Sequence, residues 1–294
     1  MVTARFGPAG NSDQFFESGR KSMVDAIEWV AGMGLNAYEY QAGHGVRIKK
    51  EDAVLLGDKA AERGVLISVH APYYISLASS DPQKRDNSLR YIFQSASAAA
   101  WMGGDRVVVH PGGLGGLTRR EAVRLAGETL LKAQQLLDDE QLSEIHICPE
   151  TMGKVNQLGD LEEIIELCKL DDRFLPCIDF GHLNSRTGGN VNNREAFAAV
   201  LNAVANELGE ERASGMHIHF SKIEYTESGE RRHLTFEDKQ YGPDPEPLMQ
   251  LIAERGWAPA VICESRGTQD SDARVLKLLF DGYRALDTHQ RLGL

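Results

Sequence analysis

Residues 66–70 read LISVH, residues 106–110 read RVVVH, and between them APYYISLASSDPQKRDNSLRYIFQSASAAAWMGGD fills 71–105. Both pentapeptides are mostly apolar with little alternation, as expected of a strand covered on both faces. The stretch between them has a different period. Asp81-Pro82 supplies an N-cap followed by proline at the first helical position, and a helical pattern then runs over 83–102. Strand, helix and strand in that order predict a parallel crossover unit. Each of the two strands ends on a histidine.

The alternation continues outward to both ends of the chain. Strand-like runs also occupy 4–6, 37–40, 144–150, 174–179, 215–220 and 260–264. Helical patterns cover 22–32, 119–137, 160–169, 193–208, 245–256 and 270–285. Thr118 and Glu121 have the spacing of a capping box, and Gly34, Gly64 and Gly256 each close a helix just before a strand. Eight strands, each followed by a helix or a long loop, predict an α/β (β/α)8 TIM barrel that fills 1–294 as one domain. A doubly wound open sheet is disfavoured, because no dinucleotide fingerprint follows the first strand.

Composition narrows the function. The 294 residues are 42% hydrophobic and 26% charged, with 43 acidic against 32 basic side chains and a net charge of −11. That balance argues against a protein that coats nucleic acid broadly, but not against local phosphate binding at bound cations. No apolar run approaches the ~18 residues of a membrane span. The N-terminus lacks the layout of a signal peptide. Cys148, Cys168, Cys177 and Cys263 form no Cys-x-x-Cys pair and mostly sit in apolar runs, as buried free thiols would. A reducing cytoplasm is expected.

The last residues of the strands carry chemistry. His70, His110, Glu150, Asp179 and Glu264 end their runs, and His217 lies near the end of 215–220. In a barrel of this kind the C-terminal ends of the strands form the catalytic face. Carboxylates gathered in a low-dielectric funnel repel one another, and cations are the simplest neutraliser. Mixed imidazole and carboxylate donors suit Zn2+ best, with Mn2+ and Fe2+ as competitors. A polynuclear metal site is therefore predicted. His182, three residues after Asp179, and His233, in the long loop after the seventh strand, belong to the same cluster. His44, His146, His219 and His289 are expected to be structural. Asp179-Phe180-Gly181 has no kinase context around it, and PGGLGGL after His110 departs from G-x-G-x-x-G, so a mobile or close-packing loop is expected there.

VHAPYYISLASSDPQKRDNS, VVVHPGG, PETMGK, DFGH, MHIHFSK and VICES together resemble the endonuclease IV family, abasic-site endonucleases within the xylose-isomerase-like barrels. The resemblance spans residues 66–266 and implies a trinuclear zinc centre. His70 and His110 would bind one zinc, and Glu150 would bridge it to a second completed by Asp179, His217 and Glu264. His182 and His233 would hold a third. The family places an Asp two residues before that last histidine, where this chain has Arg231. An arginine cannot ligate; water or a nearby acid such as Glu230, Glu237 or Asp238 would have to stand in, so two to three metals per chain are expected.

The resemblance also implies damaged double-stranded DNA as partner, engaged by Tyr73 and by the candidate Arg47, and a monomer without membrane contact. The implied reaction is phosphodiester hydrolysis 5′ to an abasic site. Water activated by the cations attacks, Glu150 sets the metal spacing, and Glu264 orients or deprotonates the nucleophile. A sugar isomerase or epimerase is the enzymatic rival, needing only Glu150, Asp179, His217 and Glu264 around one metal. A non-catalytic metal-binding or DNA-binding relative, silenced through Arg231, is the other.

Overall fold

The structure, a computed structural model, describes residues 3–292, so residues 1, 2, 293 and 294 of the expected domain lie outside it, as does the side chain of His289. Its elements run β1 (Arg5–Pro8), α1 (Asp13–Glu17), α2 (Met23–Gly32), β2 (Ala37–Gln41), α3 (Lys50–Arg63), β3 (Leu66–His70), α4 (Pro82–Trp101) and β4 (Arg106–Val109). There follow α5 (Arg119–Asp139), β5 (His146–Pro149), α6 (Leu161–Cys168), β6 (Cys177–Asp179), α7 (Phe180–Arg186), α8 (Arg194–Leu208) and α9 (Glu210–Ser214). The chain ends with β7 (His217–Phe220), β8 (Lys222–Thr226), β9 (Gly229–Leu234), α10 (Pro245–Arg255), β10 (Ala260–Cys263) and α11 (Gln269–Leu292).

Eight of these strands are parallel and form two four-stranded sheets, in the orders β1-β10-β7-β6 and β2-β3-β4-β5. Single parallel bridges, Ala9 to Glu39 and Glu150 to Cys177, join the two sheets and close the (β/α)8 barrel. One continuous core packs the barrel strands against the helical ring, with Phe6, Ile67, Val107, Ile147, Ile178 and Ile218 all buried. The four cysteines are free and buried. Among the described residues no helix is long and apolar enough to cross a membrane.

Local signals place the helix starts. Asp81 caps α4 ahead of Pro82, and Thr118 and Glu121 close the predicted capping box on α5. Gly64 and Gly256 end α3 and α10 in the left-handed conformation, satisfying terminal carbonyls that a Cβ-bearing residue would serve at a cost. The glycine-dense loop after His110 packs closely, since a Cβ on Gly115 would stand 3.0 Å from the Ala78 carbonyl oxygen.

Besides the short helices α1, α7 and α9, which lie outside the expected set, two larger elements depart from the sequence reading. Helix α3 is missing from the predicted set, although Gly64 is expected to end a helix. Its sequence is charge-rich and interrupted by Gly57, which signals weak helix on propensity alone. A Cβ at Gly57 would lie 2.7 Å from the Met102 carbonyl carbon. Tertiary packing against the end of α4 thus selects glycine there and overrides propensity. The second departure is the antiparallel β8–β9 hairpin, which occupies the expected long loop after the seventh barrel strand.

A candidate metal centre at the barrel mouth

The parallel register decides which side chains share a layer. Asp179 and Ile262 pair with His219, whereas Cys177 and Ala260 pair with His217. His219 therefore stands level with Asp179, while His217 lies one rung deeper. The two histidines share strand parity, so alternation alone could not separate them; only register does. His217, expected beside Asp179 and Glu264, gathers instead with Cys177 and His219 one layer down. Glu150, Asp179, His219 and Glu264 are the four residues whose ligand atoms gather within 4.8 Å of one another.

Glu150 is the hub. It is fully buried. One carboxylate oxygen lies 2.9 Å from His110 Nε2 and 3.3 Å from His70 Nε2, and the other 3.0 Å from His219 Nδ1 and 3.4 Å from His182 Nδ1. His70, Glu150 and His219 make a second convergent group, and His182, Glu230 and His233 a third. The predicted ligands His70, His110, Glu150, Asp179, His182, His233 and Glu264 are thus all brought to one mouth.

The chemistry of this donor set fits divalent cations. His70 donates Nδ1–H to the Ala71 carbonyl at 2.9 Å and His182 donates Nδ1–H to the Thr151 carbonyl at 2.9 Å. His233 Nδ1 contacts Ser221 Oγ at 2.8 Å. In each ring Nε2 is left as the nitrogen turned to the centre, the arrangement in which a backbone or hydroxyl partner fixes the tautomer of a ligating histidine. Glu150 Oε2 and Asp179 Oδ2 are buried without a hydrogen-bond partner, which is costly unless a positive charge completes them.

Electrostatics point the same way. Burial lowers the His70 pKa, but the adjacent Glu150 carboxylate more than reverses this and holds it at about 9. Burial also opposes charge on His182, and Asp179 and Glu150 raise it well above the ordinary value nonetheless. Burial pushes Asp179 up to about 6. The upward shifts of His70 and His182 favour protons on these imidazoles where a cation is absent, so cation uptake there would compete with protons.

The hairpin resolves the question set by Arg231. Opposite Glu224 stands Arg232 and opposite Tyr225 stands Glu230, leaving Arg231 as the extra residue of a β-bulge. In a regular strand, residues 230 and 233 would face opposite sides; one inserted residue returns them to the same side. Glu230 accordingly approaches His182 Nε2 at 3.5 Å and His233 Nε2 at 3.7 Å. Arg231 is exposed on the cavity rim and pairs with Glu224 at 2.5 Å. Arg231 thus lies outside this group, and Glu230, one of the three acids considered, is the one that stands with His182 and His233. A backbone bond from Glu230 N to the Gly153 carbonyl at 3.1 Å pins the hairpin. Gly229 has φ +91°, and a Cβ there would lie 2.2 Å from that same carbonyl oxygen.

A direct test separates these neighbours. Glu230→Ala is expected to cost about one bound metal per chain, because a two-histidine remnant is a poor divalent site. Arg231→Ala should keep wild-type stoichiometry. Elemental analysis of both variants checks this, and equal loss in both would return Arg231 to the site.

Above the ring the mouth opens into a cavity of about 690 Å3 lined by Tyr73, Lys154, Arg231, Arg232, Glu264 and Arg266 among others. An anionic floor thus carries a cationic rim within an acidic protein. Tyr73 is 56% exposed, its ring 6.4 Å from those of both His70 and His110. Arg47 does not reach this cavity; it lines a separate cleft with Tyr40, Lys49 and Asp52, and its backbone N–H donates to Tyr40 Oη at 3.2 Å. Of the histidines expected to be structural, His44 contacts Tyr74 Oη at 3.0 Å and His146 contacts the Arg173 carbonyl at 2.8 Å. His219, Glu230 and the buried Glu39 beneath them are the residues that sequence reasoning missed or left open.

Barrel and site together define the class. The chain belongs to the xylose isomerase-like TIM barrel family, whose description matches residues 27–281. Among curated relatives, an uncharacterized protein of Methanocaldococcus jannaschii is 33% identical over 242 residues, 82% of this chain and 85% of its own. A protein of Acholeplasma laidlawii named probable endonuclease 4 is 27% identical over 221 residues, covering 71% and 72%. Among solved structures, a D-tagatose 3-epimerase-like protein aligns at TM-score 0.69 with 22% identity, covering 92% of this chain and 97% of its own. Endonuclease IV from Thermus thermophilus aligns at 0.67 with 21% identity, covering 88% and 94%.

Proposed function

We propose that this protein is a metal-dependent phosphodiesterase that cleaves the DNA backbone 5′ to abasic sites, working as a monomer in the cytoplasm. The carrying observation is the third convergent group, His182, Glu230 and His233, beside a ring already complete for one metal. An isomerase has no need of it, nor of His70 and His110. Divalent cations held here, Zn2+ before Mn2+ or Fe2+, would supply Lewis acidity toward the phosphate and a lowered pKa for water. The chain's own groups do the rest. Lys154, Arg232 and Arg266 on the rim offer the charge that holds a phosphodiester anion. Tyr73 presents an exposed ring that can stack where a base is missing. Glu264, half-buried between ring and cavity, can accept the proton of an attacking water.

The test is incision of a duplex carrying one abasic site. Metal-replete protein should nick it on the 5′ side, lose the activity on chelation and regain it when zinc, manganese or iron is returned. A protein loaded with metals that leaves the duplex intact refutes the reading. Glu150, Asp179, His219 and Glu264 would also serve a one-metal sugar epimerase, the alternative favoured by the fold likeness to the D-tagatose 3-epimerase-like protein. Turnover of a ketohexose without DNA incision would select it.

A further inference from the structure

Below the ring lies a carboxylate that the proposed reaction leaves unused. Glu39, on β2, is fully buried. One of its oxygens lies 3.0 Å from His217 Nε2, the other 3.1 Å from His219 Nε2. Ser68 Oγ donates to the first oxygen at 2.8 Å and Gln41 Nε2 donates to the second at 3.0 Å. A buried glutamate with both oxygens occupied from three strands is a fixed point in the barrel floor.

His219 is the ring histidine that needs such a point. His70 and His182 turn their second nitrogen to a backbone carbonyl, and His233 turns its own to a hydroxyl. His219 stands in the middle of a parallel strand whose carbonyls serve the sheet. Its Nδ1 faces Glu150, at 3.0 Å, and Glu264, at 3.6 Å. On the other side Nε2 has no aligned hydrogen-bond partner, and Glu39 is the carboxylate within reach, in a close but bent contact.

We propose that Glu39 is the positioning residue of the centre: it holds the second nitrogen of His219, fixes which nitrogen is offered upward, and thereby sets cation affinity at the Glu150–Asp179–His219–Glu264 position. The proposal rests on the metal reading above. His217 braces the other oxygen of Glu39 from beneath, which gives this deeper histidine a role without ligation. Carboxylate partners of ligating histidines restrict ring orientation and raise ligand basicity, and their loss costs about 10- to 100-fold in metal affinity.

The experiment strips wild type, Glu39→Gln and Glu39→Asp with a chelator and titrates each with Zn2+ against a chromophoric competitor, then with Co2+ followed by its visible spectrum. Glu39→Gln should weaken one cation by about 10- to 100-fold and shift the cobalt bands. Uptake by His182, Glu230 and His233 should be unchanged, and Glu39→Asp should recover part of the affinity. A Glu39→Gln protein that melts earlier yet binds cations like wild type would make Glu39 a core ion only and overturn the proposal. Should Glu39→Gln fail to fold, Gln41→Ala decides: it removes the amide donor from the Glu39 oxygen that faces His219, so altered cation binding supports the proposal and wild-type binding rejects it. Wild type that takes up no cation at all sinks this inference together with the metal reading. Wild-type uptake with undisturbed variants sinks this inference alone.

Discussion

Glu150→Gln is expected to strip the centre of most of its metal and to reduce abasic-site incision by about 10³-fold or more. Glu150 is shared between two of the convergent groups, and four imidazoles meet its two oxygens within 3.4 Å. An amide keeps the shape but replaces one acceptor with a donor, so the NH2 group would face either His70 and His110 or His219 and His182. Several kcal/mol of charge stabilisation are carried by catalytic cations, and each ~1.4 kcal/mol is tenfold in rate. The change reaches the apo fold as well. Removing one partner of a buried ion pair costs about 3–5 kcal/mol, which for a chain of this size lowers Tm by roughly 10 °C. Circular dichroism at the assay temperature therefore accompanies elemental analysis and incision kinetics. The metal left behind should be the one at His182, Glu230 and His233. Undiminished metal content in a folded Glu150→Gln protein would remove Glu150 from the hub.

The barrel was legible because its signal is redundant. Most barrel strands repeat a short apolar run, and most helix starts bring a side-chain cap, α3 and α9 excepted, so a missed element such as α3 does not change the topology. Most of the site was legible for a related reason. Strand-terminal residues are tied to the mouth by architecture, which placed His70, His110, Glu150, Asp179 and Glu264 without any knowledge of register. What failed needed distances across the chain. His217 and His219 differ by one rung, and only pairing with Asp179 on β6 and Ile262 on β10 tells them apart. Arg231 is a matter of counting along a strand that contains a bulge, and a bulge is invisible where no partner strand is foreseen. Glu39 left no trace because a single acid in a strand gives no pattern; its meaning comes from His217, His219 and Ser68 meeting it in space.

Glu264→Gln should separate holding a cation from moving a proton. Glu264 follows the last residue of β10, and its Oε2 lies 3.6 Å from His219 Nδ1 and 3.9 Å from His233 Nδ1. It is the acid of its four-residue group that borders the open cavity, the other three members being buried. Burial raises its pKa, but the charges of His219 and His233 outweigh this and set it below the ordinary value. It is therefore ionised at neutral pH and free to take a proton. Loss of a positioned general base costs about 10²- to 10⁴-fold. The expected result is a fall of that size in kcat with KM for the abasic duplex little changed, since on the proposed reading the rim cations Lys154, Arg232 and Arg266, rather than this carboxylate, would grip the phosphate. Protonation of Glu264 as pH falls should also switch off the wild-type enzyme, whereas a glutamine cannot titrate; the acidic limb of the kcat profile should flatten in the variant. Metal content measured on the same samples divides the outcomes. A parallel loss of metal would make Glu264 a ligand alone, full metal with a depressed and flattened profile would make it the base, and wild-type incision would deny it both roles.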